Sequence, residues 1–140
     1  MAPSDDTLRA ILLARPVIAM VGASSRPERP SHGVMRHLLD AGYEVHPVNP
    51  NERSVHGVPA WPDLGSAPRA EVVDVFRRAD ATPDVARAAV AAGARMLWLQ
   101  LGVINHDAGR IARDAGLIVV MDRCLWVEHE RLIGTPHPPR

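Results

Sequence analysis

The residues with the types and spacing for chemistry stand in four short groups, each closing an apolar run. The first is Gly22-Ala23-Ser24-Ser25-Arg26, which follows Val17-Ile18-Ala19-Met20-Val21. Glycine lets the backbone turn tightly and lets a ligand come close to the main chain. A helix opened by Ser31 would point free N–H groups and a partial positive charge back at this loop. Such an arrangement binds a diphosphate. The other groups are Val48-Asn49-Pro50, Phe76-Arg77-Arg78 and Gln100-Leu101-Gly102. Arg26, Arg29, Arg77 and Arg78 suit a ligand rich in phosphate, because guanidinium recognises phosphate in bidentate fashion. A solvated rim is the alternative reading of each arginine.

Other chemistries find less support. All 16 basic residues are arginine, which excludes a Schiff-base lysine and a P-loop lysine. The seven histidines are scattered, and no pair has zinc-ligand spacing with Cys or acid partners. His32 adjoins the phosphate loop and is the histidine to watch. His32 and His37 are five apart and do not share a helical face. Cys124 follows Met121-Asp122-Arg123. The arginine beside it favours a thiolate, whereas a buried strand-end thiol is the plainer reading. An NAD site asks for G-x-G-x-x-G and for an acid ending the second strand. Here Gly22 stands alone until Gly33, and Asn49-Pro50 occupies the acid's place.

The elements that position these groups follow from periodicity. A helix over Ser4–Ala14 carries Leu8, Ile11 and Leu12 at helical spacing. Strands are expected at Val17–Val21, Tyr43–Val48, Glu71–Phe76, Ala94–Leu101 and Leu117–Met121. Val34, Leu38 and Leu39 mark the helix after the first strand. Thr82 with Pro83 opens another, with Val85, Ala88, Ala89 and Ala92 as its apolar face. Asn105 caps a further helix, with Ile111 and Ala115 inward. Val55–Leu64 reads as a loop with a helical turn near Trp61. The three tryptophans read as packing residues. Trp126, Val127, Leu132 and Ile133 belong to a short terminal helix or loop, and residues 134–140 to a frayed tail. Strands alternating with helices specify an α/β fold: a doubly wound, Rossmann-like, five-stranded parallel sheet with helices on both faces. Its strand ends share one edge, where ligands bind at the switch in winding.

The chain of 140 residues, 46% hydrophobic and 23% charged, is sized for one soluble domain, with a core over about 13–133. A net charge of zero gives no long-range case for nucleic acid. No apolar run reaches the ~20 residues of a membrane span, and the N-terminus is not a secretory signal. One cysteine makes no internal disulfide, which fits a cytoplasmic protein.

Five segments, in order, carry a family resemblance. They are Val21–Ser24 with the Arg-Pro-Glu-Arg-Pro-Ser that follows it closely, Gly42–Pro50, Val73–Arg77, Leu97–Val103 and Val119–Cys124. Together they resemble the stand-alone bacterial CoA-binding domain proteins, similar to the N-terminal domain of the succinyl-CoA synthetase α-subunit. The resemblance implies that the Gly22–Ser25 backbone cradles the pyrophosphate of coenzyme A, with Ser24, Ser25 and Arg26 on phosphate. It implies Val48, Asn49 and Pro50 beside the adenosine, and Phe76, Arg77 and Arg78 over the nucleotide or its 3′-phosphate. Gln100 and Gly102 would line the way to the pantetheine arm. The lysine that follows the second-strand proline in the synthetase is replaced by Asn51 and Glu52. The resemblance thus implies a binder of CoA or an acyl-CoA with no catalytic residue and no metal of its own. A half-enzyme completed by an ATP-grasp partner and an NAD(P)-type module are the alternatives. A protein partner or a homo-oligomer stays open.

Overall fold

Short apolar runs, rich in Val, form the strands, and small-residue turns separate them from amphipathic helices. A computed structural model gives the fold, with residues 2–134 described. In chain order the elements are α1 (Asp5–Leu13), β1 (Ile18–Val21), α2 (Pro30–Asp40), β2 (Val45–Val48), β3 (Ser54–Val55) and β4 (Val58–Pro59). There follow β5 (Val72–Val75), α3 (Thr82–Ala91), β6 (Met96–Leu99), α4 (His106–Asp114), β7 (Ile118–Val120) and α5 (Leu125–Leu132). A single 3₁₀ turn, Ala79–Ala81, precedes α3.

The main sheet has the order β2-β1-β5-β6-β7 and is parallel throughout. The chain winds outward from β1 to β2, returns past β1 to β5, and winds the other way. The switch point therefore lies between β1 and β5. Every residue of β1, β5 and β6 is buried, as strands covered on both faces must be. Helices α1, α2 and α5 cover one face, where Leu8, Leu12, Met35, Leu38 and Leu125 pack on Ile18, Met20 and Trp98. Helices α3 and α4 cover the other through Ala86, Ala89, Ala108 and Ala112. Alanine at those positions lets the two helices lie close to the sheet and to each other.

Four local expectations change. Residues 55–64 are not a loop with a helical turn: β3 and β4 form an antiparallel hairpin, and Trp61 bridges Val48 at the edge of β2. His56 and Gly57 both take positive φ (52° and 77°), the pair of left-handed residues that a two-residue hairpin turn requires. Thr82 does not cap α3. The 3₁₀ turn makes Ala81 the cap, and the Thr82 hydroxyl donates to Ala79 O at 2.6 Å. In α4, Ala108 and Ala112 are buried while Ala115 is exposed at the C-cap; Asn105 caps the helix as expected, accepting from Ala108 N. Trp98 is core, but Trp126 is 42% exposed and stacks on His37. The expected tail lies outside the described residues save for Gly134.

Candidate functional site

The register of the sheet lines up the strand ends. Val21 is level with Val48 and Val75, and Val75 with Leu99. The next residues, Gly22, Asn49, Phe76 and Gln100, therefore stand in one row at the carboxyl edge. Gly22 turns there with φ +87°, and a Cβ on it would run into the Phe76 carbonyl oxygen. No side chain but glycine's is compatible with that approach. The loop then leads to α2, whose N-cap, Arg29, provides no side-chain bond to the first turn, and Pro30 supplies its first position.

Above this row lies a cavity of about 890 Å³, within the range of small-molecule sites. Gly22, Ser24, Ser25, Arg26, Asn49, Phe76, Arg77, Arg78 and Gln100 are on its wall. Of the remaining expected residues, Ala23 and Val48 are buried, Pro50 and Gly102 are exposed, and none of the four is on the wall. Ala23 instead accepts from Asn49 Nδ2 at 2.9 Å, and Gly102 N donates to Asp122 Oδ1 at 2.7 Å. His32 is also off the wall, its ring 4.0 Å from that of His56. Arg26, Arg29 and Arg77 line the cavity and form no salt bridge among the described residues; Arg78 reaches Asp80 at 3.5 Å on the exposed rim. Unpaired guanidinium groups around one hollow make it attractive to a polyanion.

The first-strand loop is more fully bonded than a bare cradle. Ser24 N donates to Ser31 Oγ at 3.0 Å, and Arg26 N to Ser24 Oγ at 3.1 Å. Ser25 donates from its amide and its hydroxyl to Glu52, at 2.6 and 2.8 Å. The Asn49 side chain arranges this: its Oδ1 accepts Asn51 N at 2.9 Å and folds the segment after β2 back toward the loop. Glu52, Ser31, Val34 and Cys124 all lie on the cavity wall. None belongs to a strand end, so the edge rule alone does not select them. The Asx turn at Asn49 is the one sequence signal that points to Glu52.

Gln100 is 4% exposed, and its Oε1 accepts Leu125 N at 3.1 Å, tying the first residue of α5 to the cavity floor. Cys124, half-buried, stands next to that tie. Among the described residues no cluster of His, Cys, Asp and Glu could hold a metal ion, and no helix is long and apolar enough to cross a membrane.

Residues 16–130 match the family described as a CoA binding domain. The chain belongs to that CoA-binding domain family. This CoA-binding domain is 38% identical over 128 residues to the uncharacterized protein YneT of Bacillus subtilis, covering 91% of this chain and 95% of YneT. It is 41% identical to a hypothetical protein from Pyrococcus horikoshii, with a TM-score of 0.90 over 93% of this chain and 92% of that one. The dinucleotide forming acetyl-coenzyme A synthetase 1 of Ca. Korarchaeum cryptofilum aligns over 85% of this chain and 28% of its own. Its TM-score is 0.73 at 23% identity, a likeness of fold alone.

Proposed function

We propose that this CoA-binding domain holds coenzyme A or an acyl-CoA in the switch-point cavity, as a cytoplasmic carrier, sensor or partner module without a catalytic step of its own. The observation that carries the reading is the cavity wall: a glycine turn at the end of β1 surrounded by Arg26, Arg29, Arg77 and Arg78. Within it the pyrophosphate lies over Gly22, Ser24 and Ser25, with Ala23 and Val48 contributing main chain only. Asn49 flanks the adenosine. Arg77 and Arg78 take the 3′-phosphate, and the pantetheine arm runs past Phe76 and Gln100 toward Cys124. Adjacent strands are ~4.8 Å apart, so the arm crosses roughly two spacings, ~10 Å, from β1 to β6. Pro50 and Gly102 have no role in this reading.

Calorimetry with CoA, dephospho-CoA, ADP and NAD tests it. CoA should bind most tightly. Arg77→Ala should shrink the preference for CoA over dephospho-CoA by about tenfold, the factor equivalent to ~1.4 kcal/mol. Binding of NAD without binding of CoA overturns the reading.

A further inference from the structure

Glu52 occupies donors that a phosphate would need. Its Oε2 accepts the Ser25 N–H at 2.6 Å and its Oε1 accepts the Ser25 hydroxyl at 2.8 Å, and both residues are on the cavity wall. Hydrogen bonds to a carboxylate are among the strong ones. The other acceptors in the loop, Ser24 Oγ and Ser31 Oγ, are hydroxyls that can rotate and donate to an incoming anion. A carboxylate can only accept, and it repels phosphate at short range. Four arginines share the wall, yet among the described residues Glu52 forms no salt bridge with any of them. Its two bonds go to Ser25 alone. The main chain beneath it is fixed by Glu52 N to Asn49 O at 3.3 Å and Asn51 N to Asn49 Oδ1 at 2.9 Å, so the side chain can swing away without unmaking the turn.

We propose that Glu52 is an internal anion that competes with ligand phosphate for Ser25, and so sets both the affinity and the ligand class of the cavity. The inference rests on the assignment of this cavity as the nucleotide site. A single carboxylate yields to a diphosphate assisted by arginines. It does not yield to a neutral ligand or to a singly charged one, which gains too little from the same guanidinium groups. Glu52 thus restricts the site to polyanions.

The experiment compares the full chain with Glu52→Gln and Glu52→Ala by calorimetry, using CoA and inorganic pyrophosphate as probes, with thermal melts to establish that each variant is folded. Glu52→Ala should bind CoA at least tenfold more tightly than the parent, with Glu52→Gln between them. Pyrophosphate should bind the parent weakly and Glu52→Ala at least tenfold more tightly. A folded Glu52→Ala whose affinity for CoA is unchanged or weaker overturns the proposal. If pyrophosphate gains affinity in Glu52→Ala while no form binds CoA, competition at Ser25 stands and the CoA reading falls. If neither probe binds any form, both fall.

Discussion

Asp74 carries a carboxyl into the centre of the sheet, in register with Met20 and Trp98 and fully buried. Neither oxygen has a hydrogen-bond partner among the described residues, and burial pushes the group well above the usual carboxylate range. The folded chain therefore keeps this proton after the unfolded chain has released it. With the folded value raised, the stability contributed by the carboxyl is complete below about pH 3.9 and is lost as pH climbs toward the folded value. Asp74→Val, which matches its strand neighbours, should be the more stable form at pH 7 by about 1–3 kcal/mol, the cost of a buried unsatisfied polar group. Urea unfolding of both forms from pH 4 upward should show their difference widening with pH. A difference independent of pH would mean that this carboxyl does not titrate with folding. In the sequence Val-Val-Asp-Val reads as a strand, but periodicity does not reveal that α2 and α5 close over the face on which Asp74 lies.

The packing of α2 against α5 turns on histidines that sequence spacing treats as unrelated. His37 and His129 approach through Nε2 and Nδ1 at 2.9 Å, His37 stacks on Trp126 at 5.0 Å, and His129 meets Tyr43 edge-on. Burial lowers the His37 pKa, and Glu130 and Asp40 oppose that shift without reversing it. A histidine depressed in the folded state lends stability above its unfolded value and withdraws it as pH falls below about 6.5. Unfolding free energy should therefore decline as pH falls below about 6.5, and His37→Gln should flatten that decline. Trp126 emission, which senses the stacked ring, should change in the native protein as the ring takes up its proton, on the acid side of that value. Helix α5 is ambiguous in sequence because its N-cap, Cys124, makes no side-chain cap bond. Its definition is tertiary: Arg131 bonds to Asp5 on α1 and to Glu128, and Arg9 bonds to Leu132 O. By contrast α1 and α4 announce themselves, because Ser4 and Asn105 cap them locally.

For the molecule as a whole, the order of strands and helices is legible because each strand is a short apolar run closed by a turn residue. Parallel pairing and right-handed crossovers then leave few arrangements. Residues that stand at strand ends, such as Gly22, Asn49, Phe76 and Gln100, could be placed from that logic. Glu52, Ser31 and Cys124 enter the cavity from a turn, a helix and a helix cap, which the edge rule does not reach. The β3–β4 hairpin escapes for a similar reason: two residues per strand are too few to show alternation. The bidentate contact of Arg131 with Asp5, at 2.8 and 2.9 Å, sets the first helix beside the last. Covalent order and spatial order are therefore separable in this protein. A circular permutant, spliced across that junction by a short linker and cut open between the exposed residues Gly65 and Ser66, would retain every strand neighbour. It should unfold in urea as one cooperative transition, with the circular dichroism of the parent.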